Sequence, residues 1–259
     1  MILVIDCGNS AIKWGRNGNG HQNKLQATGS AVHIGRIDAA LAELADSMPA
    51  AADRVIVSNV AGPVLASGIT KVAAERLGKT PEFVNVQAEA HGVRCGYVQL
   101  GDFGVDRWVG LIAGRQSANV PVAVINAGTA VTFDALDASG QHLGGLILAS
   151  PRLMAAELNH RTDQIGAIEL PRQAAKGIAL LGKTTADGVG NGSMLAVAAA
   201  LDRAISVIAK ALGGQPRAIL TGGGALSIRP WLETEVQFEA NLVLDGLVLI
   251  ARDSGSRRA

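Results

Sequence analysis

Ile2-Leu3-Val4-Ile5-Asp6-Cys7-Gly8-Asn9-Ser10-Ala11-Ile12-Lys13 opens the chain and sets its plan. The four apolar residues Ile2 to Ile5 read as a buried strand. Asp6 puts a carboxylate at the strand end, and Gly8 permits a tight turn. Asn9 and Ser10 add an amide and a hydroxyl. Ala11-Ile12-Lys13-Trp14 then reads as a second short strand, so the product is a β-hairpin with a polar tip. Successive backbone N–H groups in such a tip form a concavity for phosphate. A neighbouring carboxylate suits magnesium, held directly or through water.

The same grammar returns 120 positions later (126 − 6). Val122-Ala123-Val124-Ile125 is an apolar strand, Asn126-Ala127-Gly128-Thr129-Ala130 a turn, and Val131-Thr132-Phe133-Asp134 a second strand. One strand ending in Asp-x-Gly signals little more than a turn. Its recurrence predicts two related halves, with a nucleotide cleft between them.

With 259 residues the chain has room for one large domain or two of ordinary size. The 48% hydrophobic content supports a real core, and with aromatics at 3% that core must be aliphatic. A net charge of +1 argues against a general attraction to nucleic acid or anionic membrane. The first apolar run is far too short for a signal or a membrane span. Cys7 and Cys95 form neither a CxxC nor a Cys/His cluster, which argues against structural zinc and fits a reducing cytoplasm.

Taken in order, apolar spacing predicts a helix over 34–44, a buried strand at 54–58, a helix over 62–77 with Pro63 near its start, and a strand at 81–86. Ser58-Asn59 ends its strand either lining a cleft or capping the next turn. The stretch 91–106 has four glycines and no periodicity, and reads as a long loop. Gly104-Val105-Asp106-Arg107-Trp108 then opens a helix through Ala118. Spacing alone makes Asp106 its cap. In the second half a turn falls at Ser139-Gly140, a helix at 151–160 and mixed structure at 161–183. A long helix runs to about Leu212, capped by Thr184 or Thr185. Strand 218–220 leads into Thr221-Gly222-Gly223-Gly224-Ala225, where glycines let a ligand lie against backbone. A helix at 242–250 closes the fold, and the polar tail from Asp253 reads as disordered.

No G-x-x-x-x-G-K-[ST], G-x-G-x-x-G after a strand, G-x-S-x-G elbow or protein-kinase signature occurs. The five histidines are scattered. His91, His142 and His160 have no carboxylate or serine at a recognisable catalytic spacing and read as surface or packing residues.

The paired hairpins and the Thr221–Ala225 loop resemble the actin, sugar-kinase and heat-shock chaperone ATPase superfamily. Asp6-Cys7-Gly8-Asn9-Ser10 with Lys13, Phe103-Gly104-Val105-Asp106-Arg107-Trp108, and Gly128-Thr129-Ala130-Val131-Thr132-Phe133-Asp134 narrow the resemblance to type III pantothenate kinase, also called Bvg accessory factor. The Gly-x-Asp-Arg-Trp stretch discriminates, because the superfamily shares the hairpins. The resemblance implies an α/β fold of two related actin-like (ribonuclease H-like) domains, each a mixed sheet flanked by helices, with an ATP cleft between them. The domains expected are 1–119, with the first hairpin and pantothenate loop, and 120–259, with the second hairpin and adenosine loop.

The resemblance also implies a set of roles. Asp6, Cys7, Gly8, Asn9, Ser10, Ala11, Ile12, Lys13 and Thr129 match ATP-binding positions. Asp106 matches the general base that takes the proton from the pantothenate hydroxyl. Tyr97, Gly104, Val105 and Arg107 line the pantothenate pocket, and Thr185 matches a threonine that reaches it from the partner subunit. The implied activity is ATP-dependent phosphorylation of pantothenate, the first step of coenzyme A biosynthesis, by a cytoplasmic homodimer using magnesium with ATP. Family members also use potassium or ammonium near the second hairpin, held with help from an aspartate where this chain has Asn126. Phe103 in place of leucine and Ala149-Ser150 in place of Pro-Gly are further departures from the family pattern. The Asn126 difference favours the first of two alternatives. One is a non-catalytic nucleotide-binding or regulatory relative, and the other is a kinase for another small hydroxy acid.

Overall fold

The computed structural model describes residues 1–18, 25–116, 119–161, 168–171, 174 and 177–256. Contacts divide the chain into two units, 1–116 with 241–259, and 117–240.

In the first unit the strands are β1 (Ile2–Cys7), β2 (Ala11–Asn17), β3 (Gln26–Val32), β4 (Arg54–Asn59) and β5 (Glu82–Phe83), with helices α1 (Ile37–Ser47) and α2 (Pro63–Leu77) between them. They form one sheet in the order β3-β2-β1-β4-β5. The hairpin β1–β2 and the pair β2–β3 are antiparallel, while β1–β4 and β4–β5 are parallel. Side chains alternate across a strand. Leu3, Ile5 and Cys7 accordingly join Ala40 and Leu44 of α1 and Leu65 and Ile69 of α2 in one core. Val4 and Asp6 face the other way. That face is covered by α3 (Val105–Arg115) and a C-terminal helix. Between β5 and α3 the stretch read as a loop contains a small antiparallel ribbon, β6 (Glu89–Ala90) with β7 (Val93–Arg94), and one 3-10 turn at Leu100–Asp102.

The second unit repeats the plan. Its strands are β8 (Val122–Ala127), β9 (Ala130–Leu136), β10 (His142–Ala149), β11 (Arg217–Thr221) and β12 (Gln237–Phe238), in the order β10-β9-β8-β11-β12. The hairpin is again antiparallel and β8–β11 again parallel. Helices α4 (Pro151–Arg161), α5 (Thr185–Leu212) and α6 (Ala225–Ile228) complete the unit. Ala123, Ile125 and Ala127 of β8 pack against Val197, Leu201 and Ile205 of α5, the same alternation seen in β1.

Two expectations are corrected. The last helix, α7 (Leu242–Ser256), belongs to the first unit and not to a 120–259 domain. Its buried residues Leu244, Leu247 and Val248 supply the apolar cover that the Val4 face needs beside α3. Arg252 Nη2 donates to Asn17 Oδ1 at 2.7 Å, and Arg54 donates to the Ala251 carbonyl. The tail is helical as far as Ser256, and residues 257–259 lie outside the described residues. Much of the mixed stretch at 161–183 lies outside them too, as do Ser117 and Ala118 at the expected end of α3. His142, read as a surface or packing residue, is a packing one, buried with its Nε2 3.1 Å from Asp134 Oδ1. The carboxylate comes from the antiparallel neighbour β9, a relation that eight positions of sequence separation conceal.

Candidate active site

Asp6 is the last outward-facing residue of β1. The register sets it beside Lys13 on β2 and Ser58 on β4. Direct strand neighbours share a face, so the three polar groups converge on the side away from the α1–α2 core. Asp6 is buried, and neither its Oδ1 nor Ser58 Oγ meets a partner at full hydrogen-bond geometry among the described residues, although the Ser58 hydroxyl is close enough to act on the carboxyl. Burial pushes the Asp6 carboxyl up to about 7, and the Asp106 charge pushes the same way. Lys13 and the Ser58 hydroxyl act in the opposite direction and do not prevail. A buried carboxylate oxygen without a well-aligned donor is suited to a hard cation. The adjoining Asn59 turned out to close a turn. It accepts from Ala61 N–H at 3.1 Å and donates to the Gly62 carbonyl at 3.0 Å.

The hairpin tip is closed by Gly8 N–H donating to the Ala11 carbonyl at 3.1 Å. Asn9 is exposed at the tip. Cys7 and Ile12 are fully buried in the α1–α2 core, so the side chains of these two residues are structural. Burial, with the Asp6 charge second, pushes the Cys7 thiol up to about 12, which makes it unreactive. A histidine that the sequence reading passed over, His33, places its Nε2 2.8 Å from the Gly8 carbonyl oxygen.

Asp106 is not the cap of α3. Gly104 occupies that position without a side-chain cap bond, and Asp106 lies in the first helical turn. The carboxylate folds back over Gly104, where an added Cβ would meet Asp106 Oδ1 at 2.8 Å. Negative charge in a first turn is favoured by the helix dipole. Arg107 is buried and donates from Nη1 to Tyr97 Oη at 3.0 Å. Its guanidinium carbon lies 4.7 Å from the Phe103 ring centroid and 5.5 Å from that of Tyr97. Tyr97 and Phe103 stack at 4.6 Å, and Phe103 meets Trp108 edge-on at 6.5 Å. In a chain with one tyrosine and four phenylalanines, this concentration of rings fixes one guanidinium plane.

In the second unit, Gly128 N–H closes its hairpin on the Ala130 carbonyl at 3.0 Å, and Thr129 is exposed at the tip. Asn126 sits opposite Thr221 as Asp6 sits opposite Ser58. The glycine loop packs directly on this hairpin: Gly224 N–H donates to the Ala127 carbonyl at 2.8 Å. Gly222 has φ +98°, and a Cβ there would lie 2.5 Å from the Ala127 carbonyl oxygen and 2.6 Å from Asn126 Oδ1. Only glycine satisfies both the backbone angle and the close approach. Thr184 caps α5 by accepting from Asp187 N–H at 3.1 Å, which leaves Thr185 exposed in the first turn.

Two sheets of one topology, each with a polar hairpin tip, define a protein of the actin-like ATPase fold. The solved structures share it. A conserved Baf family protein from Campylobacter jejuni superposes with a TM-score of 0.58 at 19% identity, covering 98% of this chain and 99% of that one. The activator of 2-hydroxyisocaproyl-CoA dehydratase from Clostridium difficile, solved with bound ADPNP, gives 0.55 at 12% identity, covering 99% and 96%. Sequence narrows the class. A family model for type III pantothenate kinase matches residues 2–207. The type III pantothenate kinase of Nitrosococcus oceani is 32% identical over 100% of this chain and 96% of its own length. That of Aromatoleum aromaticum is 36% identical over 99% and 100%. The chain belongs to the type III pantothenate kinase family, the ATP-dependent kinases of the first step of coenzyme A biosynthesis.

Proposed function

We propose that this chain transfers the γ-phosphoryl group of ATP to the primary hydroxyl of pantothenate, giving 4'-phosphopantothenate and ADP, with Asp106 as the general base. The observation that carries the assignment of roles is the Asp106–Arg107 pair: a carboxylate whose charge bears on buried Asp6, next to a guanidinium fixed by Tyr97 and Phe103. Phosphoryl transfer needs alignment and charge neutralisation more than covalent help. The hydroxyl oxygen forms a bond to the γ-phosphorus, the bond from that phosphorus to the bridging oxygen breaks, and ADP leaves. The hydroxyl proton passes to the Asp106 carboxylate. Arg107 pairs with the pantothenate carboxylate in a planar two-point contact. Tyr97, Gly104 and Val105 line the same pocket.

Residues Asp6 to Lys13 and Thr129 bind ATP. Cys7 and Ile12 act there through backbone alone. Asp6, whose Oδ1 lacks a well-aligned donor among the described residues, is the residue that fits a divalent cation, through a bridging water or directly. Bound with ATP, magnesium neutralises charge on the phosphates. Asn126 stands at the position of the monovalent cation.

We infer further that the protein is a homodimer in which Thr185 reaches the partner's pantothenate pocket. Supporting this is a cavity of ≈ 760 Å³ in the second unit, lined by Ala149, Leu153, Met154, Leu158 and Val189 and placed one turn from Thr185. Leu146 and Ile147 on the edge strand β10 are 45% and 64% exposed, and Leu153 and Leu158 on α4 are each 47% exposed. Exposed apolar side chains on both faces of an edge strand and along the neighbouring helix are characteristic of an interface. Among the described residues no helix is long and apolar enough to cross a membrane. Two free thiols, one of them buried and unreactive, fit the reducing cytoplasm where ATP is drawn.

The test is a coupled assay of ADP release by the purified protein with and without pantothenate. Pantothenate-dependent turnover is expected. ADP release that ignores pantothenate, or none at all with nucleotide bound, would return the chain to a binding or regulatory role.

A further inference from the structure

We infer that His33 is a positioning residue for nucleotide binding, setting the conformation of the first hairpin tip. The proposal deepens the kinase reading and rests on it for the identity of the ligand. His33 follows β3, an edge strand that is mostly exposed. Its neighbours Val32 and Ile34 are 54% and 63% exposed, yet the imidazole between them is 6% exposed. Ordinary patterning would bury the β-branched side chains and expose the histidine. The inversion needs a cause, and the contacts supply one.

His33 grips the tip at two peptide units. Its Nε2 lies 2.8 Å from the Gly8 carbonyl oxygen. A carbonyl only accepts, so Nε2 carries the proton. Its backbone N–H donates to the Ser10 carbonyl at 3.0 Å. A trans peptide is planar, with C=O and N–H pointing in opposite directions. Drawing the Gly8 carbonyl toward His33 therefore turns the Asn9 N–H away from it, at a residue exposed at the tip. Holding the Ser10 carbonyl fixes the next-but-one peptide in the same sense. With Gly8 N–H tied to Ala11 O, the tip has little freedom left. The Asn9 N–H is then presented to an anion before the anion arrives, and no ordering cost falls on binding.

Three substitutions separate this role from simple packing. In His33→Gln the amide nitrogen reaches about as far as Nε2 and can still donate to Gly8. In His33→Asn the amide stops short, and in His33→Leu the donor is gone. We expect ATP to bind roughly tenfold more weakly to the Asn and Leu variants by titration calorimetry, the scale of a partly buried acceptor left unsatisfied. The Gln variant should stay within about threefold of the parent. The KM for ATP should rise in the same order while the KM for pantothenate holds. Parent-like ATP affinity in both Asn and Leu variants overturns the proposal. So does an equal loss for ATP and pantothenate in all three variants that tracks a fall in Tm, since that is what loosened packing produces. If His33→Leu does not fold, the Gln–Asn comparison decides alone. Calorimetry reads ATP binding without turnover. A parent protein that binds ATP but leaves pantothenate unphosphorylated refutes the kinase reading, while the His33 comparison still stands or falls by itself.

Discussion

The charge of Asp106, on the first turn of α3, bears on the carboxyl of Asp6 at the end of β1 and helps hold it near neutrality. Strand parity brings this about. Asp6 shares a face with Val4, and α3 and α7 cover that face. Two carboxylates repel, and the more buried one keeps its proton longer. A cation at Asp6 would relieve the repulsion and favour the ionised Asp6.

A pH signature follows for the metal-free protein. The Asp6 carboxyl titrates near 7 in the folded chain, against 3.8 ordinarily. Below about pH 4 both folded and unfolded states hold the proton, and the group contributes no difference. From there to about pH 7 the unfolded chain releases it and the folded chain does not, so folding stability falls as pH rises, by up to a few kcal/mol. Asp6→Asn removes this titration. In EDTA, the parent's Tm should drop from pH 5 to pH 8 relative to the variant's, and MgATP should raise Tm at pH 8 more for the parent than for the variant. Parallel curves for the two proteins would show that Asp6 carries no such penalty.

Asp106→Asn keeps the side chain's shape over Gly104 and removes the proposed base. ATP and pantothenate should bind within several-fold of the parent, and turnover should fall about 10²–10⁴-fold. Single-turnover kinetics with both substrates saturating makes the measurement. Near-normal turnover would reduce Asp106 to a helix-dipole partner.

What the sequence showed and what it hid divide along a physical line. Both hairpins were legible because an apolar run, a glycine turn and a second run are local signals. The same is true of Pro63 at the start of α2 and Thr184 at the cap of α5. Asp106 was legible as a residue and misread as a cap, since cap and first-turn positions differ by two residues and look alike in sequence. The placement of α7 was not legible: an apolar helix fits either sheet, and only the uncovered Val4 face decides. His33 and the Asp134–His142 pair were hidden because strand pairing creates them. The Tyr97–Phe103–Arg107 stack was hidden because the segment supplying Tyr97 has no periodicity to read.

The proposed dimer shares its sites, which makes complementation possible. An Asp106→Asn protomer still offers Thr185, and a Thr185→Arg protomer still offers Asp106. Random mixing makes half the dimers hybrid, and each hybrid has one intact site of two. About a quarter of the parental activity should return when the two inactive proteins are mixed and allowed to exchange. Sedimentation should show a dimer throughout. A fully active monomer at assay concentration, or no recovery after demonstrated exchange, would remove Thr185 from the partner's pocket.

The last prediction concerns Asn126. It stands in β8 where Asp6 stands in β1, paired with Thr221, and its Oδ1 lies beside Gly222 at the foot of the glycine loop. An asparagine offers one carbonyl oxygen to a cation but no charge, and hard cations bind less tightly as ligand charge is removed. The lost attraction is about 332/(ε·r), or roughly 5 kcal/mol at ~3 Å and an effective ε of about 20, before the desolvation of the ion is subtracted. The net loss is smaller, and every ~1.4 kcal/mol of it weakens binding tenfold. Carbonyls of the hairpin and the glycine loop offset part of it. Their geometry is fixed by Gly224 N–H on Ala127 O and does not depend on a charge at position 126. Turnover of the parent should therefore respond weakly or not at all to potassium, and Asn126→Asp should gain a saturable potassium dependence. The measurement is initial rate against KCl at constant ionic strength, balanced with a large organic cation. Strong saturable activation of the unmutated protein would mean that the loop carbonyls suffice and that the charge at this position is dispensable.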